Sequence, residues 1–315
     1  MKKALIVVLM ILCCSKMIVP SDVKPIDPFL VIHTLPANID VKKMIYRGVF
    51  NGNHMFIDVP DNAIYLLDVL NFELKGKFYF RFGRNDSEVE GLKFTTQSEN
   101  HLWVLDQMNR ISLFDYVDNK FIFKASFFLT PYTLVTNIYA TKLGLFAFGR
   151  DSSGLFSLNQ YSMHGSKEKE IETYKAPIPG NIVFAQDHEG NLLYTFQYNT
   201  TFYYLDIVKD KTKTYKPDDK IIWEVEKKEM YKNGMVYNIG LLGPNHLFIS
   251  YWTVPTGGIF AVIDKKSKNV LASYTYPLAE GFVYNDRIFI YKETFQDKNM
   301  QAFLVELRAS DIIKK

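Results

Sequence analysis

Apolar and aromatic residues in this chain come in short runs, each opened by a turn residue and closed by polar ones. The run HLWVLD (101–106), followed after Asn109-Arg110 by ISLFD, shows the pattern best. Similar runs stand at DNAIYLLDVLN (61–71), KLGLFAFGRD (142–151), GNLLYTFQYN (190–199), NHLFISYWTV (245–254) and DRIFIYKETF (286–295). Further apolar stretches follow them at GKFYFRFG (76–83), KFIFKASFF (120–128), TTFYYLDIV (200–208), GGIFAVID (257–264) and MQAFLVEL (300–307), joined by polar turns. Short apolar runs bounded by turn signals predict strands, and no segment sustains a helical period. The chain is read as all-β.

The runs repeat. Residues 61–71 align on 99–109 at a constant offset of 38, which matches Asn62 to Asn100, Leu67 to Leu105, Asp68 to Asp106 and Asn71 to Asn109. Measured at the first apolar residue of each unit (Ile64, Leu102, Leu145, Leu192, Leu247, Ile288), the spacings are 38, 43, 47, 55 and 41. Six units of this size fit a six-bladed β-propeller of four-stranded antiparallel blades. The stretch PFLVIHTL (28–35) is expected to add a strand to the last blade and close the ring, which removes free sheet edges. The two long spacings predict polar insertions at 162–175 and 209–220.

Residues 82–115 resemble the blades of NHL-type and related six-bladed propellers, through Phe82-Gly83, Gly91, Leu102 to Asp106 and Asn109-Arg110-Ile111. Specific likeness covers residues 54–115, about a fifth of the chain, and in the other four units it is architectural.

Composition agrees with this reading. The chain has 315 residues, 48% of them apolar, with 20 tyrosines and 25 phenylalanines, enough for a packed core. Its net charge of +3 includes Lys2 and Lys3 of the leader, so nothing in the charge balance points to nucleic acid.

The first residues, MKKALIVVLMILCCS, have the layout of a secretory signal: two lysines, an apolar run too short to span a bilayer, then small residues. Cys13 and Cys14 are the only thiols, which excludes a disulfide framework. Ile11-Leu12-Cys13-Cys14 resembles the lipobox of bacterial lipoproteins, and that resemblance implies a lipid on Cys14 or Cys13. Cleavage after Ser15 without a lipid is the alternative. The expected organisation is a signal peptide over 1–15, an extended tether over 16–28 stiffened by Pro20, Pro25 and Pro28, and a single propeller over 29–312.

Little in the body asks for chemistry. Asp68 and Asp106, each followed by an Asn three residues on, read as turn caps accepting backbone hydrogen bonds. His101 and His246 share an Asn-His-Leu context and read as turn-exit residues, since no metal-ligand spacing accompanies them. Glu90, Asn137, Asp187 and Asn191 are the residues a metal-dependent, lactonase-like hydrolase could recruit at a central channel, a reading by fold analogy alone. Trp103, Trp223 and Trp252 are assigned to packing between blades rather than to glycan stacking. No nucleophile elbow, phosphate loop or dinucleotide fingerprint occurs. The sequence therefore predicts an exported, lipid-anchored binding or scaffold module of a bacterial envelope. Its partners would be the membrane, through the lipid, and a protein or glycan on a propeller face; no cofactor is expected.

Overall fold

Each long apolar run lies inside a four-stranded antiparallel meander, and six such meanders form a β-propeller. The structure is a computed structural model and describes residues 24–25, 31–35, 44–175, 180–187, 190–198, 201–207, 209, 211–215, 235–253, 257–276, 281–296 and 299–313. Cys13, Cys14, Trp223, the signal segment and most of the tether lie outside the described residues.

Two short strands, β1 (Lys24–Pro25) and β2 (Val31–Thr34), precede the first blade. Blade 1 holds β3 (Met44–Phe50), β4 (Asn53–Asp58), β5 (Ala63–Asp68) and β6 (Leu74–Tyr79). Blade 2 holds β7 (Leu92–Ser98), β8 (His101–Asp106), β9 (Arg110–Val117) and β10 (Lys120–Phe128). Blade 3 holds β11 (Tyr132–Thr141), β12 (Gly144–Asp151), β13 (Phe156–Tyr161) and β14 (Lys167–Tyr174). Blade 4 holds β15 (Ile182–Gln186), β16 (Leu192–Phe196), β17 (Phe202–Asp206) and β18 (Lys211–Tyr215). Blade 5 holds β19 (Met235–Leu242), β20 (His246–Thr253), β21 (Gly257–Asp264) and β22 (Val270–Tyr276). Blade 6 holds β23 (Gly281–Tyr284), β24 (Arg287–Gln296) and β25 (Asn299–Arg308), and a short helix α1 (Ala309–Ile313) follows.

The ring closes through the N-terminal segment. Strand β2 pairs antiparallel with β25, Val31 opposite Glu306, and becomes the outermost strand of blade 6. Just before it, β1 pairs in parallel with β22 at the rim of blade 5. Side chains reinforce the closure. The His33 ring stacks on Phe72 of blade 1 at 4.2 Å, and its Nε2 lies 3.0 Å from the buried Glu306 carboxylate, which Arg287 also reaches at 3.2 Å.

The apolar runs are continuous because the strands are buried on both sides. In β8, Leu102 and Val104 pack against Met55, Ile57 and Ile64 of blade 1, while Trp103 and Leu105 pack against Ile138, Leu145 and Ala147 of blade 3. Period-two alternation thus sends neighbouring residues into different inter-blade layers. Six apolar clusters result, one for each junction around the ring.

Two expectations are corrected by the strand pairing. The segments 162–175 and 209–220 are not simply insertions: Lys167–Tyr174 is β14 and Lys211–Tyr215 is β18, the outermost strands of blades 3 and 4. An outermost strand has only one sheet neighbour and much solvent, so it tolerates the Lys-Glu-Lys-Glu pattern that imitates a loop. The offset of 38 also aligns different strands, since 61–71 contains β5, the third strand of blade 1, whereas 99–109 contains β8, the second strand of blade 2. Blade 1's own second strand is β4, NHMFID.

Candidate functional site

The innermost strands β3, β7, β11, β15, β19 and β23 enclose a central channel of about 730 Å³. We call the face where these strands begin the upper face and the opposite one the lower face. Bulges shape the upper half. An extra residue or pair is inserted at Arg47-Gly48 in β3, Lys93 in β7, Thr136 in β11 and Tyr237 in β19. Each bulge bends its strand and re-aims the residues beside it. The strands also approach closely: a Cβ on Gly240 of β19 would stand 2.3 Å from Cγ2 of Val283 in β23.

Polar groups line the channel unevenly. Near the upper mouth, Asn137, Asn181 and Asn238 come from three consecutive blades, and the Oδ1 of each accepts the N–H of the following isoleucine at 2.8–2.9 Å. The Asn137 Nδ2 donates across to the Ile182 carbonyl at 2.7 Å, so this amide links blades 3 and 4. Arg47 lies with its guanidinium carbon 4.5 Å from the Phe94 ring centroid, and both residues line the channel. Deeper, Gln97 donates through Nε2 to the Val49 carbonyl, while its Oε1 and the Thr95 Oγ1 are buried without a hydrogen-bond partner. The lining carboxylates, Asp187 and Asp286, lie at the lower ends of β15 and β23.

The repeat aspartates are turn caps on two faces. Asp106 closes β8 on the upper face, its Oδ1 accepting the N–H groups of Met108 and Arg110, each at 2.9 Å. Asp58 and Asp151 cap the corresponding turns of blades 1 and 3. Asp68 instead closes β5 on the lower face, accepting from Leu70 at 2.9 Å and Asn71 at 3.2 Å, as Asp206 and Asp264 do in blades 4 and 5. Backbone N–H donors hold the carboxyls of Asp68, Asp206 and Asp264 below the usual carboxylate range. Asn71 accepts from the Glu73 N–H. Asn109 also joins two blades. Its Oδ1 accepts from Lys93 Nζ at 3.1 Å and from the Val135 N–H at 3.3 Å, which ties the blade 2 turn to β11.

The residues that a metal-dependent hydrolase could recruit do not converge. Glu90 precedes β7 and pairs with Arg84 at 2.8 Å, and Asn137 is near the upper mouth. Asp187 and Asn191 lie in the β15–β16 turn on the lower face, where the Asp187 carboxylate accepts from the Asn191 backbone, the Asn191 amide and the Tyr204 hydroxyl. Among the described residues no three His, Cys, Asp or Glu side chains stand together as a metal site would require. His101 pairs with Asp115 at 2.7 Å across β8 and β9, and His246 stands opposite Asp264 in the same way. Trp103 is fully buried between blades 2 and 3.

Sequence reading named two residues that line the channel, Asn137 and Asp187, and overlooked the rest of its lining. The pair Asn-Ile at 137–138, 181–182 and 238–239 was the available signal, recurring at the same place in the innermost strands of blades 3, 4 and 5. Arg47, Thr95 and Gln97 left no pattern to find.

No family model and no curated protein matches the sequence. Solved structures do resemble it in fold. A Bacteroides fragilis protein described as exported superposes with a TM-score of 0.58 at 11% identity, covering 90% of this chain and 96% of its own. A catalytically inactive variant of virginiamycin B lyase from Staphylococcus aureus, with quinupristin, superposes with a TM-score of 0.50 at 10% identity, covering 89% of this chain and 99% of its own. At such identities the likeness is one of fold: this chain is a six-bladed β-propeller.

Proposed function

We propose that this propeller is exported and held at the membrane of a bacterial envelope by a lipid on Cys14 or Cys13, where it acts as a binding or scaffold module for a protein or glycan. The observation that carries the reading is the path of the N-terminal segment. Its described strands lie at the rim, β1 beside the outermost strand of blade 5 and β2 as the outermost strand of blade 6. A chain tethered at its rim presents both faces to a partner. The Bacteroides neighbour described as exported is consistent with this address. Among the described residues no helix is long and apolar enough to cross a membrane.

The display of the two faces is tested with a photo-crosslinking residue placed at Tyr237 on the upper mouth, at Leu70 on the lower face, or at Ile122 on the outer strand of blade 2. These side chains are 40%, 75% and 49% exposed. A discrete adduct from one face in intact cells, absent from Ile122, is the expected result. Adducts of equal intensity from all three positions, or none from either face, would contradict it.

A further inference from the structure

We propose that the upper mouth of the channel, where blades 4 and 5 meet, binds an uncharged N-acetylated amino sugar of a glycan. This deepens the binding-module reading, on which it rests, by naming the partner's chemistry. The parts are the side-chain amides of Asn238 and Gln197 and the ring of Tyr198. Gln197 joins the two blades: its N–H donates to the Asn181 carbonyl at 2.8 Å, and its own carbonyl accepts the Val236 N–H at 2.6 Å. Asn181, Gln197 and Asn238 all line the channel. Tyr198, 53% exposed, leans on Gly180, where a Cβ would stand 2.6 Å from Cδ2 of the ring. Gly180 also has a φ of +85°, so both sterics and backbone call for glycine, and the tyrosine ring gains a backbone seat beside Asn181.

The amide oxygens are all taken. Oδ1 of Asn181 accepts the Ile182 N–H at 2.9 Å, Oδ1 of Asn238 accepts the Ile239 N–H at 2.8 Å, and Oε1 of Gln197 accepts the Asn181 N–H at 3.1 Å. A backbone N–H can bond only the oxygen end of an amide, so the nitrogen ends are left as donors. In blade 3 the corresponding donor is spent on the ring itself, since Asn137 Nδ2 reaches the Ile182 carbonyl at 2.7 Å. In blade 4, Asn181 Nδ2 reaches the Thr136 carbonyl only at 3.5 Å. Asn238 Nδ2 and Gln197 Nε2 have no partner among the described residues, and neither nitrogen is buried.

Uncharged donors without free acceptors select an uncharged acceptor. The charged residues that line the channel are Arg47 on blade 1 and Asp187 and Asp286 at the lower ends of β15 and β23, so this cluster carries no charge of its own. A carboxylate would give up its hydration here and gain no counter-charge. An amide carbonyl has two lone pairs and accepts from two N–H donors at once. A peptide also offers such a carbonyl, but it lacks the flat C–H face of a pyranose ring that stacks on an exposed tyrosine. An acetamido sugar supplies both features.

Calorimetric titration of the full chain in detergent with N,N'-diacetylchitobiose, cellobiose and the peptide analogue N-acetylalanine methylamide tests this. The acetylated sugar is expected to bind at least about tenfold more tightly than either of the others. Tyr198→Ala should weaken it about tenfold, and Tyr198→Phe should not. Asn238→Asp keeps the oxygen that Ile239 uses and removes the donor, and should bring the two sugars to similar affinity; Gln197→Glu makes the equivalent change on blade 4 and should act the same way. Absence of binding of the acetylated sugar at about 10 mM, equal binding of cellobiose or of the peptide analogue, or undiminished binding by both Tyr198→Ala and Asn238→Asp would overturn the proposal. Envelope attachment is read from the mass of the mature N-terminus and uses none of these sugars, so the two readings can fail separately.

Discussion

Asp106 and Arg110 form a buried pair: Nε of Arg110 donates to Oδ2 of Asp106 at 3.2 Å, with side-chain exposures of 7% for the arginine and 1% for the aspartate. The rest of the guanidinium is spent on backbone carbonyls of the loop between blades 1 and 2, those of Gly83, Arg84, Asn85 and Glu88, at 2.6–3.1 Å. The Asp-x-x-Asn-Arg segment therefore holds one blade to the next. Arg110→Ala should cost about 3–5 kcal/mol, because it leaves Asp106 charged and buried and strips four carbonyls of their donor. Asp68→Ala, at a half-exposed turn, should cost only about 1 kcal/mol. Denaturant unfolding of both variants checks the order. Equal losses would mean that the buried pair does not pin the loop.

A second prediction concerns acid. His54 is fully buried, packed at 4.7 Å against Phe289 and 4.9 Å against Phe72, and its Nδ1 lies 3.1 Å from the Tyr46 hydroxyl. Burial, aided by the nearby His33 and opposed by Asp68, lowers its pKa from 6.5 to about 3. The unfolded chain takes up this proton at a higher pH than the folded one. Its contribution is therefore neutral above about pH 6.5 and destabilises the fold increasingly from there down toward about pH 3. Between pH 7 and 5 the wild type should lose about 2 kcal/mol more than His54→Phe. Identical slopes for the two proteins would refute a neutral buried imidazole.

Closure by β2 makes a third prediction. Removing residues through Leu35 leaves β25 with an unpaired edge and takes away His33, the partner of Glu306. An open edge recruits other chains. The truncated protein should melt lower and run as aggregates on size exclusion, whereas removal of residues 1–15 should leave the melt unchanged. A monomeric, fully stable truncation would contradict the closure.

The close approach of β19 and β23 gives a fourth. Gly240→Ala places a methyl against Val283 and should cost about 1–3 kcal/mol. Val283→Ala in the same chain should recover part of that loss, because the two changes act on one contact. Strict additivity in a double-mutant cycle would show that the strands are not in contact there.

Much of the fold was legible in the sequence, for a physical reason. Strands such as β8 are buried on both sides, so HLWVLD carries no alternation to confuse the reading, and its repetition counts the blades. The outermost strands were harder to see, since β14 and β18 meet solvent and their lysines and glutamates imitate loops. Register was harder still. Asp68 and Asp106 both cap turns, and a turn-capping aspartate looks the same after a third strand as after a second. The channel was legible only in part: Asn137 and Asp187 were named for it and do line it, whereas Arg47, Thr95 and Gln97 follow no repeated spacing.

Presentation of this ring at a membrane by its own N-terminus is read out by the mass of the mature N-terminus. Membrane-fraction protein should begin at Cys14 or Cys13 and carry acyl chains, and globomycin should block its maturation. A soluble mature protein with a free, unmodified N-terminus at Lys16 would contradict the lipid anchor.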